Sequence, residues 1–77
     1  VLKAQKEQYS FAVNDFDKAI KIDSLYADAI VERAASYLML KNVDGYCNDI
    51  TKAISLNNIR AKTIYEKIEK LGLSCTN

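Results

Sequence analysis

Histidine, proline and tryptophan are absent from this chain of 77 residues, and glycine occurs only twice. Histidine is the commonest general base and a frequent metal ligand, so its absence lowers the expectation of catalysis or metal binding. With no proline and little glycine, the chain also has few residues that interrupt helices. The sequence therefore predicts a mostly helical protein that is not an enzyme and holds no metal or cofactor.

The chain also lacks a strong charge and a long apolar run. Its formal net charge is +1, and its basic residues are scattered. A nucleic-acid-binding surface is usually strongly basic, so we expect no nucleic acid partner. The longest apolar run, Tyr37 to Leu40, is far shorter than the ~20 residues that span a bilayer. The sequence predicts a single small soluble domain that does not insert into membranes.

An internal repeat organises the chain. Residues 9–24 align with residues 43–58 at an offset of 34 residues, with five identities in sixteen positions. The same offset relates Ala27, Ile30 and Glu32 to residues of the same type at positions 61, 64 and 66. Because the period persists beyond the first match, a repeat of 34 residues is a better explanation than chance.

Helical spacing of apolar residues predicts the elements inside each unit. Apolar residues recur at intervals of three and four over residues 27–40, 44–56 and 60–71, which predicts three helices. Between the first two, we expect Asn42 to adopt a left-handed conformation and Asp44 to cap the following helix. The pairs Asn57-Asn58 and Asp23-Ser24 are each expected to offer a capping oxygen to the helix that follows them.

The motif residues resemble the tetratricopeptide (TPR) repeat family. Ile30-x-x-Arg33-Ala34-x-x-Tyr37 followed by Ile50-x-x-Ala53 resembles its succession of bulky, small and tyrosine positions and then a bulky–alanine pair. Ala12-x-x-x-Phe16-x-x-Ala19 matches the second half of the same motif. Tyr46 departs from it, because the family places a small alanine there. The resemblance implies an all-α stack of about four antiparallel helices.

The resemblance also implies how the chain is divided. Residues 1–77 would form one domain fragment of a longer protein. Its parts would be residues 1–22 as the second helix of a truncated repeat, 25–58 as a full repeat, 59–72 as a closing helix and 73–77 as a tail.

A further implication of the resemblance is a role in protein–protein interaction, with a peptide or partner protein held on the concave surface. The first helix of each repeat lines that surface in the family. The candidate binding residues are therefore Asp28, Val31, Glu32, Ala35, Leu38, Met39, Lys62 and Glu66. The lysine, asparagine and arginine with which one subset grips carboxylate tails are missing, and Asp28 and Glu32 favour a basic or mixed peptide instead. The alternative is a structural segment that caps a longer array or self-associates, with no ligand of its own.

The two cysteines, Cys47 and Cys75, match no zinc or redox spacing. Two interpretations stay open. In one, the closing helix runs antiparallel to the helix that begins near Cys47 and returns Cys75 to the same end, where a disulfide clips the tail. In the other, both are unpaired small apolar side chains. An oxidising compartment is favoured only if the bond forms.

The start of the chain suggests self-association. Residues 12–20 carry an apolar set, Ala12, Val13, Phe16 and Ile20, that a preceding helix would partly cover in a complete repeat. Lys6-Glu7-Gln8 contains no Gly, Pro or Asn at which the chain could turn back. We therefore expect one continuous helix over residues 2–22 with a bare apolar stripe, and association into a homo-oligomer or a helix-swapped dimer.

Overall fold

The structure, a computed structural model, describes residues 5–75 and consists of four α-helices. They are α1 (Gln5–Ile22), α2 (Ala27–Met39), α3 (Val43–Ser55) and α4 (Ile59–Lys70). Each helix packs against the next along the chain, α1 on α2, α2 on α3 and α3 on α4. Residues 5–75 contain no strand, which confirms the all-α prediction. Within this part of the chain, no helix has the length and apolar character needed to cross a membrane.

The turn between α2 and α3 forms where it was predicted, but its residues have different roles from those predicted. Lys41, not Asn42, takes the left-handed conformation, with φ of 62°. Asn42 is the N-cap, and its Oδ1 accepts a hydrogen bond of 3.0 Å from the backbone N–H of Gly45. Asp44 lies inside the first turn of α3 and is not the cap. Gly45 is required here because a Cβ atom would lie 2.8 Å from the ring of Tyr37.

Of the other two turns, the one before α4 contains a predicted cap and the one before α2 does not. Before α4, the Oδ1 atom of Asn58 accepts a bond of 2.9 Å from the Ala61 N–H, so the predicted cap is confirmed. Before α2, the N-cap is Tyr26, which makes no side-chain capping bond. The carboxylate of Asp23 instead accepts from the Leu25 N–H at 3.0 Å within the turn. Asp23 thus stabilises the loop rather than the first turn of α2.

The core lies between α2, α3 and the start of α4. Its buried members are Ile30, Val31, Ala34, Tyr46, Ile50, Ala53 and Ala61. Three of the seven are alanines, whose small side chains let neighbouring helices approach closely. Tyr46 fills the position where a small residue was expected, and it is fully buried. Its hydroxyl has no hydrogen-bond partner among the described residues, and burial, followed by the charge on Tyr65, raises its pKa.

The tail after α4 turns back onto the core. Gly72, with φ of 106°, follows α4, and the backbone N–H of Leu73 donates to the Ile68 carbonyl at 3.3 Å. Leu73 and Cys75 then pack against the core. The sulfur atoms of Cys47 and Cys75 lie at disulfide distance, and their Cα atoms are 5.4 Å apart. The geometry therefore favours the first of the two interpretations of the cysteines.

Ala53→Leu should destabilise the chain by about 1–3 kcal/mol, because the site is fully buried and the larger side chain would force α3 away from its neighbours. Thermal unfolding followed by circular dichroism measures the effect. Lys52→Leu, at the exposed neighbouring position, is the matched control and should change stability by less than about 0.5 kcal/mol. A melting temperature unchanged by Ala53→Leu would contradict both the packing and the repeat assignment.

We expect the Cys47–Cys75 bond to form when the chain is purified without reductant. Alkylation followed by mass spectrometry should then label neither cysteine before reduction and both afterwards. Because the bond closes a segment of 28 residues, its loss should lower stability by about 3 kcal/mol. Cys75→Ser should reproduce that loss under oxidising conditions, whereas two free thiols in the oxidised preparation would exclude the bond.

Candidate peptide-binding surface

Helix α2 presents one open stripe to solvent. The stripe consists of Asp28, Glu32, Ala35 and Met39, whose spacings of four, three and four residues place them on one side of the helix. Asp28 and Met39 are the only exposed residues of α2, and Glu32 and Ala35 are half-buried. Every other residue of α2 is buried or half-buried. This stripe is therefore the side of α2 that is most open to solvent.

Two predicted binding residues lie off the stripe. Val31 is only 1% exposed and belongs to the core, so it is not available to a ligand. It precedes Glu32 by one position, which turns its side chain about 100° around the helix and into the interior. Leu38 is half-buried and packs against the same core. For Val31, the prediction of a surface role is corrected by its burial.

Arg60, at the first turn of α4, is the charged partner of the stripe. Its guanidinium donates to Oε2 of Glu32 at 3.0 Å and lies 3.9 Å from Oδ1 of Asp28. The side-chain amide of Asn58 also donates to Oδ1 of Asp28, at 3.0 Å. Glu32 and then Asp28 raise the pKa of Arg60. These exposed contacts contribute little stability, but they partly neutralise the two acidic groups.

Sequence reasoning did not select Arg60. No sequence signal placed it there, because the approach of the first turn of α4 to the start of α2 is set by the tertiary packing. The two α4 residues that were selected, Lys62 and Glu66, are exposed. Lys62 lines a cavity with Ile54 and Asn57, on the side of α4 that faces α3. The structure therefore brings Arg60, and not Lys62, into contact with the acidic residues of α2.

A cavity of about 370 Å³ extends the stripe towards α1. Phe16 and Ala19 of α1 and Ala29 of α2 give it an apolar lining. Its other lining residues are the aromatic Tyr26 and three acidic residues, Asp15, Asp28 and Glu32. This combination suits the aliphatic stem and cationic end of a lysine or arginine side chain. The surface thus has an apolar end at Met39 and an acidic end at the cavity.

Arg33 holds α2 in place between its neighbours. Its guanidinium donates two hydrogen bonds to the carboxylate of Asp49 on α3, at 2.6 and 2.8 Å, and one to Asp17 on α1, at 2.7 Å. It also lies 5.7 Å from the centre of the Tyr37 ring. Asp49 and Asp17 raise the pKa of Arg33, the hydrogen bond to Asp49 having the largest effect. Asp17 thus pairs with a residue of the neighbouring helix rather than with one of its own helix.

The predicted self-association residues of α1 are partly covered. Ala12, Val13, Phe16 and Ile20 are all half-buried, and Ile20 packs against the core. The exposed apolar residues of α1 are instead Phe11, at 68%, and Ile22, at 88%. From Gln5 onwards the helix is continuous, as expected, while residues 2–4 of the predicted helix lie outside the described part.

Metal-binding groups are absent from the described residues 5–75: no three or more His, Cys, Asp or Glu side chains are placed there to hold a metal ion. The charged clusters are ion pairs between helices, and their partners are fixed by packing. What this surface can do chemically is to recognise a ligand by charge and apolar contact.

Arg33→Lys should lower the free energy of unfolding by about 1–3 kcal/mol. Lysine keeps the charge but cannot make the two parallel bonds to the buried carboxylate of Asp49. Urea denaturation measures the difference. The control is Lys67→Arg at the equivalent position of the next repeat unit, which is exposed and should alter stability by less than about 0.5 kcal/mol. Equal unfolding midpoints for Arg33→Lys and the wild type would contradict the role given to Arg33.

Comparison with known proteins gives one informative similarity. No family model matches the chain, and no solved structure matches it. RNA polymerase II-associated protein 3 from Xenopus tropicalis is 36% identical over 73 residues, which is 92% of this chain. The chain spans only 11% of the length of that relative. It is therefore a four-helix, all-α segment with weak homology to a short part of a much longer protein.

Proposed function

We propose that the chain is a TPR-type segment that binds a protein or peptide along the open stripe of α2. The observation that carries the proposal is the burial pattern of α2, whose only exposed residues, Asp28 and Met39, lie on one side of the helix together with the half-buried Glu32 and Ala35. A helix held on its other sides presents the remaining stripe as a rigid, preorganised surface, which lowers the entropic cost of binding. The module itself acts by binding and not by catalysis.

The TPR assignment is supported by the motif positions. Ala34, Ile50 and Ala53 are fully buried, as the repeat pattern requires, and Tyr37 packs at the turn against Gly45. The equivalent motif residues of the preceding unit, Phe16 and Ala19, line the cavity beside α2. Both sets lie on a helix that packs against the next helix of the chain, one period apart, with the first set half-buried and the second fully buried.

The similar protein supports a protein partner. Its name describes it as associated with RNA polymerase II. A segment related to part of such a protein fits an interaction module, and a protein partner is the simplest inference for this chain. The partner itself is defined here only by the chemistry of the surface.

That chemistry favours a mixed peptide with a basic residue and an apolar residue. The cavity end carries Asp15, Asp28 and Glu32 against the single positive charge of Arg60, which leaves an excess of negative charge. A lysine or arginine side chain fits this end. At the other end, Met39 is 53% exposed and offers a flexible apolar contact. A ligand that spans both ends would be recognised by charge at the cavity and by apolar contact at Met39.

A capping role is the alternative, and α4 favours it. Lys62, Glu66 and Glu69 are exposed, and the tail after Gly72 folds back onto the core. Terminal units of helical arrays carry polar outer faces of this kind. In that case, α4 closes a longer array and the stripe has no ligand of its own.

Peptide selection distinguishes the two. A phage-displayed library of random peptides is selected on the chain, and fluorescence anisotropy then measures the enriched peptides on the wild type and on Met39→Asp. We expect basic and apolar peptides to be enriched. Their affinity should fall about tenfold or more on Met39→Asp, because a charge would meet the apolar side chain of the ligand.

The control is Leu71→Asp, which introduces the same charge at another exposed apolar position, 82% exposed and just after α4. It should leave peptide affinity unchanged, and melting curves of both variants establish that they fold. Peptides that bind Met39→Asp and the wild type equally would contradict the proposed surface. Failure to enrich any peptide would favour the capping role.

A further inference from the structure

The outer side of α1 carries an exposed stripe, of which only Asp15 also lines the cavity beside α2. Phe11, Asp15, Lys18 and Ile22 follow one another at spacings of four, three and four residues, so they share one side of the helix. All four are exposed, and the two apolar members are among the most exposed large hydrophobic side chains described. Asp15 and Lys18 form no ion pair with any residue in the described part of the chain.

The order of residues in this stripe is self-complementary. An apolar residue is followed by an acidic, a basic and another apolar residue, and Phe11 lies as far before the midpoint of Asp15 and Lys18 as Ile22 lies after it. If two such helices meet antiparallel with the two-fold axis at that midpoint, Asp15 of each copy faces Lys18 of the other. Phe11 of each copy then faces Ile22 of the other. A two-fold interface requires this kind of reciprocal pairing.

A neighbouring residue allows the close approach that such a pairing needs. Ala12 lies beside the stripe, and its small side chain leaves room for a second helix. A parallel arrangement would instead place Asp15 against Asp15 and Lys18 against Lys18, which like-charge repulsion disfavours. The order of the charges therefore favours a second copy of the chain as the partner, and it favours an antiparallel orientation of the two helices.

We propose that the chain forms a two-fold dimer through antiparallel contact of the α1 stripes Phe11, Asp15, Lys18 and Ile22. This proposal extends beyond peptide binding, which uses the stripe of α2. It moves the interface from the apolar set predicted from the sequence to the exposed side of α1. Because a single pair of helices buries less surface than a standard interface, the dimer should be weak, with dissociation roughly in the micromolar range.

Charge exchange tests the pairing directly. Asp15→Lys makes both charges of the stripe positive, and Lys18→Asp makes both negative. Sedimentation equilibrium of each variant alone should show the dimer dissociation constant raised about tenfold or more. An equimolar mixture of the two variants should recover wild-type affinity or better as a heterodimer, because each position 15 then faces the opposite charge at position 18.

Two further measurements complete the test. Glu69→Lys changes the net charge by the same amount as Asp15→Lys but lies on α4, so it should leave the dimer unaffected. A photoreactive benzoylphenylalanine at position 11 should cross-link to the region of Ile22 in the second copy. A wild-type chain that stays monomeric at high micromolar concentration would overturn the proposal. So would a mixture that associates no better than the single variants, or cross-links from position 11 to position 11.

Discussion

The placement of α2 between α1 and α3 is the constraint on which the rest of the structure depends. Arg33 links the three helices by bonding to Asp49 on one side and Asp17 on the other. Asp49 is only 6% exposed, so its charge needs the matched geometry of the guanidinium. Moving α2 away from α3 would leave this carboxylate buried without a partner, so the pair ties the positions of the two helices together. With α2 fixed in this way, the stripe of Asp28, Glu32, Ala35 and Met39 stays open to solvent, and this is the surface proposed to bind a ligand.

The helices could be predicted from the sequence because the spacing of apolar residues and the 34-residue repeat indicated the same helices. The observed bounds Ala27–Met39, Val43–Ser55 and Ile59–Lys70 lie within one residue of the predicted ranges. The turn residues were harder, because Lys41 and Asn42 can each take either role and the steric fit of Gly45 against Tyr37 selects between them. The burial of Tyr46 was hard to predict for a similar reason. A local motif predicts a small residue there, but the space available to its ring is set by three helices together.

The placement of the candidate binding residues was predicted less well than the fold, for a geometric reason. A helical pattern places residues on a face, but it does not specify where the buried sector ends. Val31 and Glu32 are adjacent in sequence, yet one is in the core and the other bonds to Arg60. Arg60 could not be selected from the pattern of its own helix either. Its role depends on the position of the first turn of α4 relative to α2, which is a property of the tertiary packing.

Asp15 connects the two proposed interactions. It lines the acidic cavity beside α2 and also belongs to the outer stripe of α1. A second copy that pairs Lys18 with Asp15 therefore reduces the negative charge that a basic ligand would meet in the cavity. The reverse also holds, because a ligand that engages Asp15 weakens the attraction between copies. Thermodynamic linkage requires these two effects to be equal in free energy. The charge on one exposed carboxylate would thus set the balance between self-association and partner binding, while Met39, at the opposite end of the α2 stripe, would act on partner binding alone.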